Sequence, residues 1–264
     1  MRRPHDLAGV TIMAGADSRC QLLQGNCLEL LRGIPDGSID MVLCDLPYGV
    51  TRNRWDSAIP LVPLWAQYRR ITKPNGAVVL HCNGMFTARL LASNPREWRY
   101  NLVWDKQKGC DYLNAGRKPL QSHEDIAVFY RAQPTYNKQA WYSTPYRPVK
   151  SGTMTPSYGR RMATYAASPD GARCPLTVLS FARDSNKLHP TQKPVALLEW
   201  LIKTYTNEGE TVLDNCMGSG STGVACLNTG RRFIGMEQDI HYFDVAVARM
   251  AEAERALEEG GKGK

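Results

Sequence analysis

Apolar positions along this chain recur in two rhythms, and the switches between them mark out the elements. Continuous apolar runs at residues 39–44 and 77–82 have the length of strands buried on both faces. Between them, residues 61–71 carry apolar side chains at helical spacing and run into Lys73-Pro74-Asn75-Gly76, a sequence that stops a helix. An earlier strand-like run at 21–24 is followed by a short helical stretch at 28–31. Strand, helix and strand in succession predict an α/β fold with a mostly parallel sheet covered by helices. Further strands are expected at 102–104 and 126–130.

The periodicity then fails between about residues 133 and 186, a stretch that holds six prolines and six tyrosines or tryptophans. It reads as an insertion outside the sheet scaffold. Regular patterning returns with a helix at 194–205, a strand at 211–214, a glycine turn, a helix at 221–228, a strand at 233–237 and a final helix at 241–258. The chain therefore divides into residues 1–132, an insertion at 133–186, residues 187–259, and a tail at 260–264 that reads as disordered.

Composition narrows the class. With 264 residues and 43% hydrophobic content, the chain has enough apolar material for one large domain with an insertion. No apolar run approaches the roughly 20 residues that span a bilayer, and Met1-Arg2-Arg3-Pro4-His5-Asp6 lacks the apolar core of a signal peptide. A soluble, cytoplasmic protein without a membrane partner is expected. The eight cysteines form no C-x-x-C pair and several lie in apolar stretches, so they read as reduced and structural, with no metal site. The net charge of +8 suits a polyanionic partner, and its distribution says more. Residues 131–186 carry eight basic side chains against two acidic ones. Arg147, Lys150, Arg160 and Arg161 are the candidates there for contacts to nucleic acid.

Two loops carry candidate chemistry. Asp214-Asn215-Cys216-Met217-Gly218-Ser219-Gly220-Ser221-Thr222-Gly223 joins a strand to a helix, and its glycines allow a sharp turn and close approach of a ligand. The same glycines fit a plain βα turn, and Gly218, Gly220 and Gly223 also match the G-x-G-x-x-G of nicotinamide dinucleotide sites. Glu237, at the end of the next strand, is placed to accept the hydroxyl hydrogens of a ribose. Together these features indicate a nucleoside cofactor without saying which one.

The second loop, Asp45-Leu46-Pro47-Tyr48-Gly49, follows a different buried strand, and loops at the carboxyl ends of parallel strands can meet over one site. An aromatic amine is a poor nucleophile because its lone pair is delocalised. A site that alkylates one must orient it and accept its hydrogens, which an Asp carboxylate and a proline-fixed carbonyl can do. Tyr48 can stack on a base swung out of a duplex. Taken alone, the tetrapeptide is equally compatible with a proline turn holding a satisfied aspartate and a packed tyrosine.

Five segments then carry a resemblance. Asp45-Leu46-Pro47-Tyr48 resembles the (D/N/S)-P-P-Y hallmark of the amino-group DNA methyltransferases, and the glycine turn resembles their D-P-F-x-G-S-G. Leu188-His189-Pro190-Thr191-Gln192-Lys193-Pro194 resembles the H-P-T-Q-K-P segment before that turn, and Arg232 through Glu237 resembles the strand bearing the ribose-binding acid. Gly25-Asn26-Cys27 resembles the G-D-C turn whose acid meets the cofactor adenine. The order is similar to the beta arrangement of that family, and the resemblance covers nearly everything from Leu22 to Met250.

The resemblance implies a doubly wound, Rossmann-like sheet with residues 1–132 as catalytic half, 133–186 as target-recognition insertion and 187–259 as cofactor half. It implies S-adenosylmethionine as cofactor and double-stranded DNA as partner, with site-specific methylation of adenine N6 because the first tetrapeptide residue is Asp45. Asp45, the Leu46 carbonyl, Pro47 and Tyr48 would form the catalytic centre. Asn26, Asp45, Lys193, Asp214, Gly218, Gly220 and Glu237 would hold the cofactor, Lys193 at its carboxylate. Leu46, Asn26, Asn215 and Cys216 depart from the family pattern, which leaves cofactor affinity and a weakly catalytic DNA-binding relative as open readings. Cytosine N4 is the closer alternative. A homodimer is compatible with the sequence, and a cognate endonuclease, as in a restriction–modification pair, is left open. Cys44 reads as strand core, His123-Glu124 and Asp105-Lys106 as braces at strand ends, and His189 as structural.

Overall fold

The computed structural model describes residues 12–14, 19–49, 58–151, 164–185 and 192–261. Arg160, Arg161, His189 and the last three residues of the expected tail lie outside them, as does the side chain of Lys150.

Strands β1 (Ile12–Ala14) and β2 (Cys20–Gln24) lead to Gly25 and α1 (Cys27–Leu30). Asn26 caps α1 by accepting the Leu28 amide on its side-chain oxygen at 2.9 Å. In β3 (Ile39–Asp45) every side chain from Ile39 to Cys44 is buried, as a strand covered on both faces requires. Helix α2 (Leu61–Ile71) turns Leu64, Trp65, Tyr68 and Ile71 inward at spacings of three and four.

Strand β4 (Thr72–Cys82) begins earlier than the apolar run predicts. Thr72 pairs with Ile39 and Ala77 with Met41, so Lys73-Pro74-Asn75-Gly76 loops out of the ladder as a bulge. A Cβ on Gly76 would lie 2.8 Å from the Asp40 carbonyl oxygen, which is why glycine stands there. Helix α3 (Gly84–Ser93) follows, then β5 (Trp98–Cys110) and β6 (Gln121–Phe129). The sequence did not reveal α3, because it buries only Phe86 and Leu90.

A second compact unit, Lys138–Leu176, contains β7 (Trp141–Tyr142), β8 (Tyr146–Ser151), β9 (Thr164–Ser168) and β10 (Ala172–Arg173). These strands form two antiparallel pairs, β7 with β10 and β8 with β9. Inside it, Arg173 stacks over the Tyr146 ring at 4.5 Å and donates to the Thr144 carbonyl at 2.6 Å.

The remainder, Met1–Asn137 with Thr177–Lys264, is the other unit. Its second half holds β11 (Val178–Ser180), α4 (Val195–Tyr205), β12 (Thr211–Asp214), α5 (Ser221–Asn228), β13 (Arg232–Glu237) and α6 (Ile240–Gly261). Residues 178–180 were expected in the insertion, yet β11 pairs in parallel with β5 and belongs to the sheet. A three-residue edge strand with one buried side chain carries too little pattern to be read. Helix α6 also runs on to Gly261, into the stretch expected to be a disordered tail.

Among the described residues one sheet of nine strands runs β1-β2-β13-β12-β3-β4-β6-β5-β11. From β2 to β4 every pairing is parallel, and β6 runs antiparallel to both neighbours. One apolar cluster joins α4, with Leu197 and Leu201, to Val212 and Phe233. The other joins α2 and α3, with Leu64, Tyr68 and Leu90, to Val42 and Leu80. The sheet is thus wound on both faces. Strands β12 and β3 lie side by side, while their connections leave in opposite directions, β12 toward β13 and β3 toward β4. This is the topological switch point at which open α/β sheets bind ligands.

Candidate active site

A cavity of about 760 Å³ opens at that switch point, lined among others by Asp45, Tyr48, His81, Lys193, Asp214 and Glu237. Its volume is in the range of small-molecule and cofactor sites.

On the β3 side, the polypeptide leaves the sheet at Asp45 and is anchored by Leu46, only 3% exposed and packed in the core. The leucine that replaces the family's first proline thus fastens the loop by burial, worth about 1.5–3 kcal/mol for such a side chain. The Tyr48 ring stacks on Phe86 at 4.6 Å, and its hydroxyl donates to Asp45 Oδ1 at 3.0 Å. Burial and the adjacent Asp45 push the phenol well above its ordinary pKa, so it stays a donor. At Gly49, φ is +69° and a Cβ would meet that of Ala58 at 2.9 Å, so the turn requires glycine.

The second oxygen of Asp45 accepts from Lys193 Nζ at 2.5 Å. Lys193 lies 3.3 Å from Glu124, and Glu124 pairs with Lys106 at 2.6 Å. Four charges therefore alternate in sign along one wall. Burial works against the Glu124 carboxylate, but Lys193 and Lys106 outweigh it and hold its pKa well below the ordinary range. Burial likewise opposes the Lys193 ammonium, and Asp45 and Glu124 reverse the effect and raise it. His81, 1% exposed and paired in register with Asp45 across β3 and β4, has no hydrogen-bond partner among the described residues on either ring nitrogen. Burial, helped by Lys193, lowers its pKa to about 4 and keeps the ring neutral.

On the β12 and β13 side, Glu237 Oε2 accepts the Gly218 amide and Oε1 the Asp239 amide, both at 2.9 Å. Each oxygen keeps a lone pair toward the cavity. Burial raises the pKa of this carboxyl despite those two donors. Gly218 and Gly220 hold φ of +50° and +78° and shape the turn. Gly223 has another reason: a Cβ there would come within 2.4 Å of Met250 Sδ, so it lets α5 pack closely on α6. The carboxylate of Asp214 is spent within the turn, accepting from Thr222 Oγ1 at 2.6 Å and the Cys216 amide at 3.1 Å, with burial pushing it up to about 6.

The departures from the family pattern have local structural reasons. Asn215 accepts the buried Tyr68 hydroxyl at 2.5 Å. Asn26 does the capping work an aspartate would do. Cys44 is pushed up to about 12 by burial, which makes it a core thiol and a poor nucleophile.

The structure brings Asn26, Asp45, Leu46, Pro47, Tyr48, Lys193, Asp214, Gly218 and Glu237 to one cavity. The Lys193 ammonium lies between Asp45 and Glu124. Arg147 is exposed on β8 in the other unit. Glu124 and Lys106, read from the sequence as braces at strand ends, line the cavity and complete the charge chain, and His81 was missed altogether. Trp104 pairs with Glu124 across β5 and β6, so the signal was a strand register, which no local pattern discloses. No group of metal-binding side chains occurs among the described residues, and no helix among them is long and apolar enough to cross a membrane.

A Rossmann-like sheet with a cavity at its switch point, a glutamate bound by two backbone amides on one wall and an aspartate–tyrosine loop on the other is the architecture of the S-adenosylmethionine-dependent methyltransferase class. The N6/N4 methyltransferase family, described as DNA methylase, matches residues 39–248, and the chain belongs to it. YubD of Escherichia coli (strain K12), which bears the name of a methylase, is 29% identical over 248 residues, covering 91% of this chain and 94% of that one. The structure of M1.HpyAVI in complex with SAM matches with a TM-score of 0.60 and 26% identity over 87% of this chain and 99% of that one. PvuII DNA methyltransferase (cytosine-N4-specific) shares the fold, with a TM-score of 0.65 at 15% identity over 87% and 86% of the two chains. S-adenosylmethionine is the methyl donor of the family.

Proposed function

We propose that this DNA methyltransferase transfers a methyl group from S-adenosylmethionine to N6 of adenine at a defined site in double-stranded DNA. The observation that carries the reading is Asp45, a carboxylate at the mouth of β3 held by donors from Tyr48 and Lys193. Two donors fix its orientation, and the remaining lone pairs, with the Leu46 carbonyl, accept the hydrogens of the target amine. Pro47 stiffens the loop. Tyr48, backed on one face by Phe86, offers the other to a base turned out of the duplex.

When bound, the cofactor supplies an electrophilic sulfonium methyl. Glu237 would accept its ribose hydroxyls, Gly218 would let the backbone approach it, and Asn26 would face its adenine, while Asp214 keeps that turn in shape and Gly220, outside the cavity lining, turns the chain against Ala246. Arg147, Lys150, Arg160 and Arg161 contact phosphates, a role supported by the basic surplus of residues 131–186. Methylation of cytosine N4 is the second reading, favoured by the fold shared with PvuII DNA methyltransferase.

The test is transfer of labelled methyl from S-adenosylmethionine to unmethylated duplex DNA. Asp45→Ala should abolish transfer while S-adenosylhomocysteine still raises the melting temperature. Normal transfer by that variant would refute the proposed centre.

A further inference from the structure

The hairpin joining β5 to β6 carries Lys106 and Glu124 of the charge chain near its base. At its tip a single helical turn, Tyr112–Asn114, displays Tyr112 at 77% and Leu113 at 89% exposure. Leaving two such side chains in water forgoes about 1.5–3 kcal/mol each, and adjacent exposed apolar groups of this kind mark a partner.

The tip is also built to hold them. Asp111, in the left-handed region at φ +64°, accepts from Asn114 Nδ2 at 2.7 Å and pairs with Lys118 at 2.6 Å. Gly109 permits the approach of Leu120, whose Cβ would lie 2.7 Å from a Cβ at that position. At the hairpin's base, Gln121 Nε2 donates to Asn83 Oδ1 at 2.6 Å, fixing the hairpin to the loop after β4. A strained residue held by several bonds indicates a conformation that is maintained for a purpose.

Charge and position select the partner. Residues 107–120 contain Lys108, Arg117 and Lys118 against Asp111 alone, so the apolar pair is rimmed by positive charge. Lys106 lines the cavity and its Nζ lies 4.0 Å from Cys110 Sγ, only two residues before Tyr112, so the tip begins next to the cavity's charged wall. A base withdrawn from a duplex leaves a gap in the stack, and apolar side chains are known wedges between base steps.

We propose that this hairpin is a DNA wedge: Tyr112 and Leu113 enter the base stack next to the target nucleotide, while Lys108 and Arg117 meet the flanking phosphates. The inference rests on the DNA methylation reading and adds a second contact surface to it.

The test compares the wild-type protein with the double variant Tyr112→Ser/Leu113→Ser on a closed circular, unmethylated plasmid. Relaxation by topoisomerase in the presence of protein reads unwinding, and labelled methyl incorporation reads transfer. Wild type should unwind the plasmid. The double variant should not, and its kcat/KM should fall at least tenfold with unchanged stabilisation by S-adenosylhomocysteine. Lys108→Gln/Arg117→Gln should reduce the slope of log affinity against log salt by about 1 to 2. A serine variant that unwinds and methylates like wild type overturns the wedge. So does one whose only change is loss of self-association in sedimentation, which would make the surface a contact between copies. A protein that unwinds through Tyr112 and Leu113 yet transfers no methyl upholds the wedge and sinks the methylation reading.

Discussion

Lys193→Met is the substitution that most directly probes how the site is held. The ammonium sits 2.5 Å from Asp45 and 3.3 Å from Glu124, and its side chain is 8% exposed. Methionine keeps the length and apolar stem but removes the charge, leaving two carboxylates close together and short of a shared cation. Removing one partner of a buried ion pair costs about 3–5 kcal/mol, because the orphaned charges remain out of water. Lys106 still pairs with Glu124 at 2.6 Å, which places the expectation at the lower end, about 3 kcal/mol. For a chain of this size that lowers Tm by on the order of 10 °C, readable by tryptophan fluorescence on heating. Methyl transfer should be lost as Asp45 loses its orientation. Adding Asp45→Asn neutralises the carboxylate left without a cation, keeps the Glu124–Lys106 pair, and should restore much of the stability without restoring transfer. A Lys193→Met protein melting within about 2 °C of wild type would refute the reasoning.

Two other expectations follow from the same wall and its opposite. Burial holds His81 at about 4, below its unfolded value of 6.5, so its contribution is present above pH 6.5 and is lost as pH falls through 4. Denaturant titrations at pH 7 and pH 4 should show His81→Leu gaining roughly 3 kcal/mol relative to wild type on acidification, and an unchanged difference would speak against a neutral buried ring. Glu237→Ala removes the acceptor of both the Gly218 and Asp239 amides. Calorimetric titration with S-adenosylhomocysteine should show affinity reduced at least tenfold, about 1.4 kcal/mol, whereas an unaltered affinity would exclude this carboxylate from the cofactor's ribose.

How far the sequence disclosed this arrangement depended on whether a feature was local. Helix α2 and strands β3 and β12 were legible because long buried runs carry their own periodicity, and the glycine turn because strand, turn and helix are contiguous. Asp45 and Glu237 could be singled out as strand-end acids, and two such loops on parallel strands converge by topology. Lys106, Glu124 and His81 could not be assigned in this way, since their meaning lies in the antiparallel β4–β6–β5 pairing, which brings them under Lys193 from the far half of the chain. Asp214 shows the reverse case: the motif marked it for the cofactor, whereas its carboxylate accepts from Thr222 and the Cys216 amide, a pairing within the turn that no spacing rule discloses. Short β11 and sparsely apolar α3 were hidden because packing, not propensity, decides them.

The central claim concerns which amine faces Asp45. Unmethylated duplex DNA incubated with the protein and S-adenosylmethionine, digested to nucleosides and analysed by mass, tests it in one measurement. The account requires N6-methyladenosine's deoxy counterpart to appear with wild type and to be missing with Asp45→Ala. N4-methyldeoxycytidine in its place, or DNA left unmethylated by the wild-type protein, would contradict it.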